Sequence, residues 1–240
     1  MTRPMISDKL ELAVLQVSER LGVTKPGSNW VQTSEHLLWH ELVACILGST
    51  VSFEHAQAAA RHLDVEGLLG VADCLSNREQ FELRIIEALS SPIYPPVTRS
   101  GKGRRYRYPR LRANHIRRSA ESIYQSGRSI KYLLRCSKDA PSARMRIIST
   151  AVGIGPKQAS LFLQNIGYAD DLAILDVHVL RYMFLQGFLP RATIGTAHIA
   201  NYEKAEERLR EYAEKMGMSV SRLDTAVWVV MRVFRREFAV

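Results

Sequence analysis

The run Ile147-Ile-Ser-Thr-Ala-Val-Gly-Ile-Gly-Pro-Lys-Gln-Ala-Ser-Leu-Phe-Leu163 admits few backbone solutions. Apolar residues at helical spacing lead into Gly153-Ile154-Gly155, and Pro156 opens a second helical pattern. Glycine lets a backbone turn sharply and approach a ligand closely, while proline suits the first position of a helix, where no amide donor is needed. The spacing therefore predicts a helix-hairpin-helix. Unpaired amides at such a hairpin and at the start of its second helix face outward, where they can hold a nucleic-acid phosphate without reading any base. A dinucleotide-binding G-x-G-x-x-G competes for the same glycines, but its third position is Gln158 here and it needs a preceding strand. A plain turn between two core helices, with Lys157 merely solvated, is the blander alternative.

The rest of the chain is helical in pattern. Leu10, Val14, Val17 and Leu21 form one stripe; Leu37, Leu38, Glu41, Leu42, Cys45 and Ile46 a second; Phe81, Ile85 and Leu89 a third. Ser52, Asn77 and Ser221 read as helix N-caps, and no sustained period-two strand appears. The expectation is an all-α protein of about ten or more helices, with loops at Thr24–Asn29 and at Ser91–Pro109. Two helical lobes with a groove between them follow, one from residues 1–48 plus 168–240 and the other from 49–167.

Charge narrows the partners. Lysine and arginine total 33 against 24 acids, a formal +9. Nine of those basic residues, Arg99, Lys102, Arg104, Arg105, Arg107, Arg110, Arg112, Arg117 and Arg118, crowd one stretch that holds no acid and is interleaved with Tyr106 and Tyr108. Such a stretch can neutralise phosphates while tyrosines stack or wedge; a solvated charged loop is the competing reading. Cys45, Cys74 and Cys136 are too few and too scattered for a disulfide framework or a thiolate cluster, which suits a reducing interior. Asp8, Lys9 and Glu11 interrupt the first apolar stretch, and no apolar run is long enough to span a bilayer, so a cytoplasmic protein is expected.

Lys157 falls in the first turn of the second hairpin helix, where the positive end of the helix dipole favours a neutral, nucleophilic amine. Nineteen residues later, Leu172-Ala-Ile-Leu-Asp-Val-His-Val-Leu places Asp176 after an apolar run and before a helical pattern, as an N-cap whose carboxylate can face a cleft.

Gly-Ile-Gly-Pro-Lys followed by Leu-Asp-Val-His resembles the helix-hairpin-helix Gly/Pro-Asp superfamily of DNA glycosylases, and within it the compact second type of 8-oxoguanine DNA glycosylase/AP lyase. Glu41-Leu-Val-Ala-Cys-Ile-Leu-Gly-Ser-Thr, Tyr106-Arg-Tyr-Pro-Arg-Leu-Arg-Ala-Asn-His-Ile, Asn165-Ile-Gly-Tyr and Leu223-Asp-Thr-Ala-Val-Trp extend the likeness over about residues 35 to 232. The resemblance implies a monomer acting on double-stranded DNA, with a damaged base flipped into a pocket. It implies that Lys157 attacks the sugar C1′, that Asp176 stabilises positive charge on the sugar and assists proton transfer, and that the Schiff base then undergoes β-elimination. Gly153, Gly155, His178, Arg105, Arg107 and Arg112 are the implied DNA contacts, and Trp228 and Asp224 the implied base pocket. For Trp228 a core position competes, for His178 a helix-surface one and for Asp224 a surface or first-turn position. No metal or iron–sulfur cluster is expected, since four clustered cysteines are lacking, although hairpin carbonyls can hold a structural monovalent cation.

One departure alters the expectation. The compact second type ends in a lysine that helps read the oxidised guanine, whereas this sequence ends Arg235-Arg-Glu-Phe-Ala-Val240. An oxidised or modified purine, foremost 8-oxoguanine, is the expected lesion. The alternatives are a repurposed domain that binds or processes another modified guanine, in DNA or outside it, and a purely structural DNA-binding module. The second leaves the lysine and aspartate unexplained.

Overall fold

The computed structural model describes residues 3–21, 29–94, 104–192 and 198–238, with side chains from 7 to 234. The loop expected at Thr24–Asn29 lies almost wholly outside the described residues, as do Arg99 and Lys102. Among the described residues there are twelve helices and one two-stranded sheet. The sheet is the one departure from an all-α chain: β1 (Pro92–Tyr94) pairs antiparallel with β2 (Arg104–Arg105) inside a stretch read as loop.

The chain divides into two compact units, residues 29–166 and residues 1–28 with 167–240. The sequence reading placed the first boundary after residue 48 instead. Residues 29–48 join the central unit because α2 (Glu35–Leu47) buries Leu38, Trp39 and every residue from Leu42 to Leu47. It packs against α3 (Phe53–Val65), α6 (Pro109–Tyr124) and α9 (Pro156–Asn165). A helix apolar on nearly all sides belongs inside its unit. Around it lie α4 (Val71–Ser76), α5 (Arg78–Ser90), α7 (Ile130–Arg135) and α8 (Ala140–Thr150). Ser52 and Asn77 cap α3 and α5 as expected, accepting from the His55 and Gln80 amides.

The second unit joins α1 (Arg3–Arg20) to α10 (Val177–Leu185), α11 (Ile199–Lys215) and α12 (Val220–Phe238). Leu10 and Val14 of α1 share one core with Val179, Met183, Tyr202, Leu209, Leu223 and Val227. The α12 start differs from the expected Ser221. Ser219 takes the capping role, its hydroxyl accepting from the Arg222 amide (3.3 Å) and its carbonyl from the Leu223 amide (3.0 Å).

Candidate active site

The hairpin forms between α8 and α9 as its glycines require. The α8 N-terminus is closed by a capping box in which Asp139 and Ser142 bond reciprocally, so the helix begins sharply. It ends at Thr150, and the chain turns through Gly153 at φ +79°, in the left-handed region that glycine occupies without steric cost. Ile154 is buried and pins the tip to the core. Gly155 then serves as N-cap of α9 with no side-chain cap, and Pro156 opens the helix. The first-turn amides are thus left without a side-chain acceptor. Since α8 precedes the glycines where a strand would have to be, the dinucleotide reading falls.

From beneath, α6 braces this turn. Ser119 Oγ donates to the His115 carbonyl (2.7 Å) and accepts from the Val152 amide (2.8 Å). Lys157 sits half-buried in the first turn of α9. Behind it, α2 supplies Glu41 and the buried Cys45; Glu41 accepts from Asn165 Nδ2 at 2.7 Å, tying α2 to the far end of the lysine helix. Burial and the Glu41 carboxylate push the Cys45 thiol well above its usual range, with the Lys157 ammonium opposing them. Cys45 is therefore a neutral thiol in the wall beside the lysine.

Asp176, in the other unit, is the N-cap of α10. Its Oδ1 accepts from the amides of His178 (2.8 Å) and Val179 (2.9 Å), and among the described residues Oδ2 carries no bond. The cap holds the carboxylate through one of its two oxygens. His178 is half-buried in the first turn of the same helix.

The basic stretch separates into two populations. Arg104, Arg105, Arg107 and Arg110 are exposed, and Arg107 lies 5.1 Å over the half-buried Tyr108 ring. With Thr50, Ser52, His55 and Tyr94, the first three line a cavity of about 240 Å³. Arg112, expected at DNA, is only 5% exposed: it donates to the Ser49 carbonyl (2.9 Å) and to His115 Nδ1 (3.1 Å), acting as an internal strut. Arg117 is held by Glu82 and Glu121 at 2.5 and 2.7 Å. Tyr106 is buried with its hydroxyl on the Leu47 carbonyl (2.7 Å), so it cannot stack on a base.

Of the two expected pocket residues, Trp228 is half-buried with Arg232 stacked 4.3 Å from its ring centroid. Asp224 is 3% exposed and its Oδ2 accepts from the Ile174 amide (2.9 Å), so it is not the surface acid that competed with the pocket reading.

Residues 24–218 match a protein family described as 8-oxoguanine DNA glycosylase of the helix-hairpin-helix kind. The chain belongs to that family. It is an enzyme of the DNA glycosylase/AP lyase class. It is 32% identical to the 8-oxoguanine DNA glycosylase/AP lyase of Metallosphaera sedula, over 95% of this chain and 96% of that one. Against the same-named protein of Saccharolobus solfataricus it is 30% identical over 82% and 83% of the two chains. The crystal structure of the Thermotoga maritima 8-oxoguanine DNA glycosylase superposes with a TM-score of 0.67 at 27% identity, covering 95% of this chain and 96% of that one. A Methanocaldococcus jannaschii 8-oxoguanine glycosylase/lyase, solved with a 15mer DNA containing 8-oxoguanine, shares the fold at a TM-score of 0.62 and 22% identity, over 93% and 89% of the chains.

Family membership leaves several contributors that sequence reasoning assigned no role. Glu41 and Asn165 meet across 124 positions of sequence, a distance no local pattern encodes. Tyr202 and Glu206 carried a readable signal: with Ala205, Leu209 and Ala213 they share the buried stripe of α11, and an acid on such a stripe is a polar group with work to do. The departures at the C-terminal end fall on residues 235–240, whose side chains lie outside the described residues.

Proposed function

We propose that the chain is a bifunctional DNA glycosylase/AP lyase that excises 8-oxoguanine from double-stranded DNA through a Schiff base on Lys157. The observation carrying this reading is the placement of Lys157 one residue after the proline that opens α9, on a hairpin whose amides lack side-chain caps, in a chain matched to the family over residues 24–218.

The chemistry divides among named groups. Hairpin amides around Gly153 and Gly155 hold a DNA phosphate, and the exposed Arg105 and Arg107 add sequence-independent attraction. The damaged nucleotide is flipped out of the stack, and Lys157 Nζ, reacting as the amine, attacks C1′ as the N-glycosidic bond breaks; the base leaves with the bonding electrons and takes up the proton that Nζ sheds on bonding to carbon. Asp176 Oδ2 faces the positive charge that builds on the sugar. Opening of the sugar ring gives the imine; loss of a C2′ proton then expels the 3′ phosphate and nicks the strand. His178 is proposed as a further phosphate contact and Trp228 as a face of the base pocket.

The deciding experiment is borohydride trapping on duplexes carrying 8-oxoguanine, an abasic site or undamaged guanine, with Lys157→Gln in parallel. A covalent adduct on the 8-oxoguanine duplex that vanishes in Lys157→Gln is the expected result. An adduct confined to the abasic duplex keeps the lyase step and reassigns the base. No adduct on any duplex removes the Schiff base and favours a binding role for a modified guanine.

A further inference from the structure

The connector that delivers Asp176 belongs to no sheet and no helix, yet Leu172, Ala173 and Leu175 are buried to within 1%. Buried backbone amides must be paired, and here side chains from α11 and α12 pair three in succession. The Ala173 amide donates to Glu206 Oε1 (2.8 Å), the Ile174 amide to Asp224 Oδ2 (2.9 Å) and the Leu175 amide to Tyr202 Oη (3.2 Å). The same Tyr202 hydroxyl donates to the Ala173 carbonyl (2.6 Å). Upstream, the Ser221 amide donates to the Asp170 carbonyl (3.1 Å), and downstream the Asp176 amide donates to the Ile174 carbonyl (2.7 Å).

We propose that Tyr202, Glu206 and Asp224 are positioning residues for Asp176, a clamp that fixes where its carboxylate stands. This inference rests on the reading of Asp176 as the catalytic carboxylate. The clamp is a costly way to enter a helix. Two carboxylates only 2% and 3% exposed each accept from a backbone amide, with Arg210 3.9 Å from the second Glu206 oxygen, where an ordinary entry needs only the cap that Asp176 already supplies. Carboxylate-to-amide bonds are directional and shorter than neutral ones, and two of them followed by the Tyr202 bond leave the segment no register to slip into. What is gained is placement of the next residue, and placement matters most for a group that must meet a charge developing on a substrate.

The test reads Asp176 through its charge. A duplex with a cationic pyrrolidine abasic analogue is bound through that carboxylate, whereas one with a neutral tetrahydrofuran analogue is not, so the ratio of the two affinities reports placement. Tyr202→Phe, with its fold checked by circular dichroism and melting temperature, is expected to reduce that ratio about tenfold while tetrahydrofuran binding stays within about threefold, and to slow single-turnover base release about 10- to 100-fold. Asp224→Ala is the second variant and collapses the ratio likewise, while Asp224→Asn, which keeps an oxygen acceptor, preserves it. A folded Tyr202→Phe or Asp224→Ala protein with the parental ratio overturns the clamp. Asp176→Asn separates the two ideas. If it leaves the ratio unchanged, the reading of Asp176 fails; if it collapses the ratio and the clamp variants do not, only the positioning role fails.

Discussion

The His115 imidazole stands against Gly153, so close that a β-carbon at that position would come within 2.1 Å of Nδ1. The same glycine holds φ +79°, where a side chain costs about 1–3 kcal/mol by backbone strain alone. Gly153→Ala is therefore expected to lower stability by at least that much and to weaken binding to undamaged duplex, measured by urea unfolding and fluorescence anisotropy. His115→Ala in the same protein should recover part of the loss, because it removes the clash and leaves the strain.

His115 also carries a pH dependence. Its pKa is lowered from 6.5 by burial first, then by the guanidinium groups of Arg112 and Arg118. Because arginine only donates, Nδ1 must be the unprotonated acceptor of the Arg112 bond. The unfolded chain takes up a proton near 6.5 and the folded one resists it, so stability is whole above that pH and falls as pH drops through the folded value. Melting temperatures from pH 7.5 down to 5.0 should decline less for His115→Gln than for the parent; equal declines would assign the acid sensitivity elsewhere.

Asp176 is a helix cap as well as the proposed catalytic carboxylate, and substitution can separate the two. Asparagine caps helices as well as aspartate, so Asp176→Asn is expected to unfold within about 0.5 kcal/mol of the parent while losing base release. Asp176→Ala should cost about 1 kcal/mol in addition, from the His178 and Val179 amides left uncapped. Chemical denaturation alongside single-turnover kinetics checks both.

The arginines of the basic stretch should likewise divide. Arg105→Ala and Arg107→Ala are expected to lower the slope of log affinity against log salt by about one each, without changing stability. Arg112→Ala should instead destabilise by about 1–3 kcal/mol, since the half-buried Ser49 carbonyl loses its donor and the buried guanidinium stem its packing.

That last contrast marks where sequence stopped being informative. Gly153, Pro156 and the Asp176 cap were legible because each acts on its own backbone within a few residues. Ser52 and Asn77 were legible for the same reason. Arg112 and Tyr106 were misread as DNA-facing because their partners, Ser49 and Leu47, stand 63 and 59 positions away and only the folded chain brings them together. The burial of Asp224 was hidden in the same way, its backbone partner lying 50 positions upstream. The short strands escaped because two or three residues are too few to establish a period. The division after residue 28 escaped because α2 is apolar all round, so its pattern names no preferred neighbour.

The interleaving of the units imposes an order on biosynthesis. A ribosome delivers α2 to α9 as one uninterrupted segment, able to collapse while α10 is still untranslated. By contrast, α1 emerges ahead of that segment and must wait, Leu10 and Val14 without their partners, until α12 has followed it. Because the side chains that pair the amides of residues 173–175 are split between α11 and α12, a nascent chain already bearing the finished hairpin and its lysine lacks part of that pairing until translation has passed Asp224.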